Sequence, residues 1–149
     1  MKIEDEIQQK EFRSVYQKTT INLLFTSLRM NEIHARFFKR YEITNQQFNA
    51  LRILHGQHPE PLSARVIKER MLDRESDVSR LLDRLLRKKW VVKKINPKDK
   101  RAFDVMLTEQ ALELLDSINH HMAEMDAVIS HLTESECETL NALLDKSRG

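Results

Sequence analysis

With 149 residues and a formal net charge of +2, the chain is the size of one domain, large enough to bury a real core, and a single domain is predicted. Two Gly and three Pro are few for this length, and the abundance of Leu, Glu, Lys and Arg favours helices, so a mainly α protein follows. A lone cysteine excludes an internal disulfide framework and a cysteine-based zinc cage, and no apolar run reaches the roughly 18 to 20 residues of a membrane span.

In chain order, the N-terminus MKIEDEIQQKEF is acidic and polar, unlike a secretory leader, which predicts a cytoplasmic protein with no membrane partner. From about Met1 to Tyr41 there is no Gly or Pro. Val15, Ile21, Leu24, Phe25, Leu28, Ile33, Phe37 and Phe38 form a broad apolar face there, which predicts one long helix or two consecutive ones. Thr44 and Gln47 have the spacing of a capping box, opening a helix through Phe48, Leu51 and Leu54 that stops near His55-Gly56. Pro59 and Pro61 mark a short connection.

Ser63 can cap the next helix, with Val66 and Ile67 buried, and the polar stretch Asp73 to Ser76 makes a turn. A second helix can begin at Asp73 or within Arg74-Glu75-Ser76. Its apolar residues Val78, Leu81, Leu82, Leu85 and Leu86 fall on one face, leaving Asp77, Ser79, Arg80, Asp83, Arg84 and Arg87 on the others. Trp90 to Ile95 and Phe103 to Leu107 then change to the two-residue period of strands, predicting a two-stranded hairpin. Its tip, Asn96-Pro97-Lys98-Asp99-Lys100-Arg101, combines turn residues with three cations. Thr108 can cap a long amphipathic helix carrying Leu112, Leu115, Ile118, Met122, Met125 and Ile129. Thr133 and Glu136 form a second capping box, opening a last helix with Leu140, Leu143 and Leu144.

The modest net charge conceals a strong asymmetry. Leu62 to Arg101 holds 14 Lys or Arg against 6 Asp or Glu, about +8, while the remainder holds 11 against 17, about −6. Positive charge is therefore concentrated in the helix-turn-helix and hairpin, as neutralising nucleic-acid phosphates requires; a merely solvated basic face is the competing explanation.

The run Asp77 to Leu86 (DVSRLLDRLL), the tip Asp99-Lys100-Arg101 with its Asp-x-Arg pattern, and Leu107-Thr108-Glu109 at the strand-to-helix passage together resemble the MarR-type winged helix-turn-helix transcription regulators. The resemblance covers the centre closely and the ends in architecture. It implies a mainly α fold with a small β-hairpin wing, built as a single domain over 1–149. Within it, 1–42 and 109–149 would be dimerisation helices and 43–108 the DNA-binding winged helix-turn-helix. The chain departs from the family at Lys89-Trp90, where a Gly is usual between recognition helix and first strand, and at Gln110-Ala111, where a Gly often follows.

The expected partners are double-stranded DNA and a second copy of the chain, since the terminal helices hold more apolar surface than one small core can cover. In a helix-turn-helix the second helix enters the major groove, which points to Arg74, Glu75, Ser76, Asp77, Ser79, Arg80 and Arg84. Arg80 is the candidate for a bidentate guanine contact. Ser76 and Ser79 can reach bases or phosphates, and Asp77 can accept from cytosine or orient an arginine. Asp83 with Arg84 and Arg87 can equally form ordinary surface pairs. By the resemblance, Arg101 inserts in the minor groove, Asp99 steadies it, and Lys98 and Lys100 meet the backbone.

The expected function is a sequence-specific repressor acting as a homodimer on a pseudo-palindromic operator, with a small-molecule effector implied by the family alone. A winged-helix protein-interaction module is the alternative. No enzyme or cofactor is implied, because there is no Gly-rich phosphate loop and no nucleophile motif. Cys137 reads as a plain thiol rather than a redox sensor, and His120 with Glu124 has a four-residue helical spacing that by itself makes a poor metal site.

Overall fold

The computed structural model describes every residue from Met1 to Gly149. Eight helices and three short strands follow one another: α1 (Ile3–Glu6), α2 (Val15–Lys39), α3 (Asn45–His55), β1 (Leu62–Ser63), α4 (Ala64–Arg70), α5 (Val78–Arg87), β2 (Val91–Ile95), β3 (Phe103–Leu107), α6 (Glu109–Asn119), α7 (Ala123–Asp126) and α8 (Glu134–Arg148). The fold is mainly α with a small antiparallel sheet, as the composition implies.

The N-terminal segment is two helices. Gln8 turns the chain with a positive φ of 53°, and Ser14 restarts it by accepting from the Gln17 amide at 3.1 Å. α1 then lies along α2, tied by Glu4 to Lys18 and by Glu6 to Arg29. The capping box at Thr44 is present in both directions, as is the one at Thr133.

The sheet has three strands where a hairpin of two was expected. β1 pairs with β3, Leu62 opposite Val105 and Ser63 opposite Asp104, giving the order β1-β3-β2. Two residues are too few to show an alternating pattern, and Ser63 also caps α4 by accepting from the Val66 amide. Val66 is only partly buried, whereas Ile67 is fully buried.

The long helix expected after Thr108 is broken. Thr108 caps α6 as predicted, but the helix stops at Asn119, and α7 is followed by a 3₁₀ turn over Ala127–Ile129. At the break the imidazoles of His120 and His121 lie within hydrogen-bonding distance of the Asp116 and Ser117 carbonyls, and the His121 amide shortens its bond to Ile118. Side chains here compete with the helix for its own acceptors. The break also separates His120 from Glu124, whose carboxylate pairs with Arg40 at 2.9 Å.

One core joins α3, α4, α5, the sheet and α6 through Leu51, Leu54, Ile67, Leu82, Leu85, Val91, Val105 and Leu115. A smaller cluster of Phe37, Phe38, Ile43, Ile118 and Met125 fastens the end of α2 to α6 and α7. Phe38 stacks on Phe48 at 4.2 Å, linking the two. Beyond this cluster α2 is largely unpacked, and α8 contributes no buried residue.

Candidate nucleic-acid interface

α4 ends at Arg70, and the extended backbone of Met71 begins the turn of the helix-turn-helix. The turn is held from three sides. Asn49 of α3 accepts from the Leu72 amide at 2.9 Å, the Asp73 carboxylate accepts from the Glu75 amide at 3.0 Å, and the Asp73 carbonyl accepts from the Ser76 amide at 3.3 Å. Asp77 then caps α5, its carboxylate accepting from the Arg80 amide at 3.1 Å and complementing the positive end of the helix dipole.

This geometry corrects part of the sequence reading. α5 begins at Val78, so Arg74 and Ser76 lie in the turn and not in the helix. Ser76 is buried at 9% exposure, with its hydroxyl unpartnered, where an exposed side chain was expected. Asp77 is exposed, but one carboxylate oxygen is engaged with backbone rather than with an arginine.

Along α5 the burial follows the three-four spacing. Val78, Leu81, Leu82 and Leu85 are buried, and Ser79, Arg80, Asp83, Arg84 and Arg87 are exposed. The surface pairs considered for Asp83 do not form: Arg87 reaches the Asp83 carbonyl at 3.4 Å, and none of the ion pairs in the chain includes Arg74, Arg80, Arg84 or Arg87. Their charge is uncompensated and faces solvent. Thr44, which caps α3, and Gln46 of α3 share a cleft with Arg80 and Arg84, and Arg65 and Lys68 of α4 share another with Ser79. Gln46 and Lys68 were missed because each reads in the sequence as an ordinary exposed helix position.

α5 ends in a left-handed residue without the expected Gly. Lys89 has φ 59°, its amide donates to the Leu86 carbonyl at 3.0 Å, and the Trp90 amide donates to Leu85 at 2.9 Å. That pair of bonds is the Schellman arrangement, so Lys performs the turn that Gly performs more easily. Thr108 braces it by donating its hydroxyl to the Lys89 carbonyl at 2.7 Å.

β2 and β3 then run out from the core in register, from Val91 opposite Leu107 to Ile95 opposite Phe103. The tip is ordered by two side chains. Asn96 Oδ1 accepts from the Lys98 and Asp99 amides at 2.9 and 3.2 Å, and Asp99 Oδ1 accepts from the Arg101 amide at 3.0 Å. Lys98, Asp99, Lys100 and Arg101 are all exposed, and no ion pair joins Asp99 to Arg101. Asp99 thus fixes the backbone of Arg101 and leaves the guanidinium free.

A family model for the MarR family matches residues 41–102, the segment that contains these elements. A MarR transcription factor from Planctomyces limnophilus of known structure is 30% identical, with 91% of this chain and 98% of that one covered and a TM-score of 0.70. The chain belongs to the MarR family. The HTH-type transcriptional regulator MhqR of Bacillus subtilis (strain 168) is 26% identical over 118 residues, covering 78% of this chain and 80% of its own length. The S. aureus MepR–DNA complex superposes with a TM-score of 0.76 at 26% identity, over 92% of this chain and 97% of MepR. As a MarR-family transcription regulator, the protein is not an enzyme. No helix is long and apolar enough to cross a membrane.

Proposed function

We propose that this MarR-family protein is a homodimeric repressor that reads a pseudo-palindromic DNA operator and releases it on binding a small-molecule effector. The observation that carries DNA reading is the set of exposed, unpaired cations on two projecting elements, Arg80, Arg84 and Arg87 on α5 and Lys98, Lys100 and Arg101 on the wing tip. α5 enters the major groove, with Arg80 on a base edge, Ser79 and Arg84 beside it, and Arg74, Ser76 and Asp77 setting the approach from the turn. The wing follows the minor groove, where the Arg101 guanidinium suits a narrow electronegative channel.

Residues 43–108 form the reader, and 1–42 with 109–149 form the dimerisation part. Support for the latter comes from apolar side chains left in solvent, among them Leu24 at 61%, Leu28 at 64% and Leu143 at 59% exposure. A second copy that interleaves its terminal helices would cover them. Repression and effector release are the family's usual mode, and the interleaved helices would leave a cleft beside the reader for a ligand. Half-sites would lie about 34 to 36 Å apart.

The test is fluorescence anisotropy of the purified protein with a duplex from upstream of its own coding sequence, against a scrambled duplex, across a salt series. Preference for the upstream duplex, with affinity of about 10⁻⁸ to 10⁻¹¹ M falling steeply with salt, is the expected result. Equal, weak binding to both duplexes would count against a local operator, and a monomeric mass by light scattering would overturn the dimer.

A further inference from the structure

The outermost rung of the wing carries an apolar pair in an otherwise cationic surface. Ile95 and Phe103 face each other across β2 and β3, and they are 78% and 41% exposed. They continue the sheet face that buries Val91, Val105 and Leu107, but lie beyond the last helix that could cover them. The Lys93 ammonium, on the same face, sits 4.1 Å from the Phe103 ring centre, and the exposed Lys98, Lys100 and Arg101 lie in the tip that joins Ile95 to Phe103, while Lys94 alternates to the opposite face. Of the two carboxylates close in sequence, Asp99 in the tip accepts from the Arg101 backbone amide at 3.0 Å, and Asp104, on the opposite face, accepts from the Asn96 side-chain amide at 3.3 and 3.4 Å.

We propose that Ile95 and Phe103 form an apolar seat for the deoxyribose wall of the minor groove, beside the point where Arg101 enters. This rests on the DNA reading above and adds a second kind of contact to it. Charge selects the occupant. A patch with Lys93 on its own face and Lys98, Lys100 and Arg101 in the adjoining tip repels a second copy of the same wing and attracts a polyanion, and among polyanions a DNA groove offers apolar sugar edges between its phosphates. The cations and the pair then divide the work: ammonium and guanidinium groups displace counterions, while Ile95 and Phe103 exclude water from sugar carbons.

The two kinds of contact respond differently to salt, which makes the seat testable. The probe is the tightest duplex recovered by in vitro selection from a random pool, with affinity measured across a salt series. Replacing both residues in the double variant Ile95→Thr/Phe103→Thr keeps strand-forming β-branched side chains. It should weaken binding about tenfold or more with the salt slope unchanged, whereas Arg101→Ala should lower that slope by about two, roughly one for each wing of the dimer. Hydroxyl-radical cleavage, which attacks deoxyribose, should show sugars protected beside the wing by the wild type and exposed with the double variant. Unchanged affinity, or a loss matched by a fall in slope, would overturn the seat while leaving the DNA reading intact. A double variant of altered oligomeric mass would assign the pair to contact between copies. Selection that enriches no duplex would remove the DNA reading and the seat together.

Discussion

The role of Asp99 distinguishes two ways of holding the wing arginine. Its carboxylate accepts from the Arg101 backbone amide at 3.0 Å and forms no ion pair with the guanidinium. Removing the acceptor in Asp99→Ala loses one exposed hydrogen bond that presets the tip, worth about 1 kcal/mol or roughly fivefold in affinity. A dimer engages two wings, so the loss doubles to about 2 kcal/mol, roughly thirtyfold. Asp99→Asn keeps an oxygen in place to accept from the same amide and removes a negative charge facing phosphate, so it should bind operator within about twofold of wild type or more tightly. Anisotropy titrations of the three proteins at one salt concentration give the comparison, with unchanged circular dichroism as the control for folding. If Asp99→Asn were as weak as Asp99→Ala, the carboxylate charge itself would be what matters, and the backbone explanation would be wrong.

Arg80→Ala should cost about 1 to 3 kcal/mol of discrimination at one base pair per half-site, read from affinities for single-substituted duplexes. Lys89→Gly should raise stability by about 0.5 to 1 kcal/mol in urea titration, because Gly relieves the left-handed φ of 59°, while Lys89→Ala keeps the Cβ and gains little. Leu85→Ala, at a fully buried position between α5 and the sheet, should cost about 2 to 5 kcal/mol in the same assay. Glu136 is held below the usual glutamate range, chiefly by the hydrogen bond from the Thr133 backbone amide. Because its folded value is depressed, its contribution is present above the ordinary glutamate value and disappears as pH falls through the folded one. An NMR titration should place its midpoint below that of an unstructured glutamate, and the first turn of α8 should fray on acidification.

What could be read in the sequence was set by neighbours in the chain. The caps at Thr44, Ser63, Thr108 and Thr133 and the buried face of α5 each depend on residues three or four apart, and all are present. The features that escaped are decided at longer range. β1 exists because β3 offers Leu62 a partner 43 positions later, at Val105, and Asn49 reaches the turn from another helix. The break after α6 is local, yet hydrophobic periodicity is blind to imidazoles competing for carbonyls, so Met122 and Met125 kept the helical pattern through residues that are not one helix.

The candidate interface divides along the same line. That Arg80, Arg84 and Arg101 are exposed follows from local period and turn composition, but what restrains each one does not. Sequence reading pairs Asp99 with Arg101 and leaves Asp77 a choice between a cytosine and an arginine, whereas in the structure each accepts from a backbone amide. A carboxylate at the start of a helix or turn meets amides that are already fixed and need no side-chain ordering, whereas pairing with an exposed guanidinium immobilises two long side chains for little gain in water. Both acids therefore position the chain and leave the cations uncompensated, which is the arrangement that gives a phosphate backbone the most charge to meet.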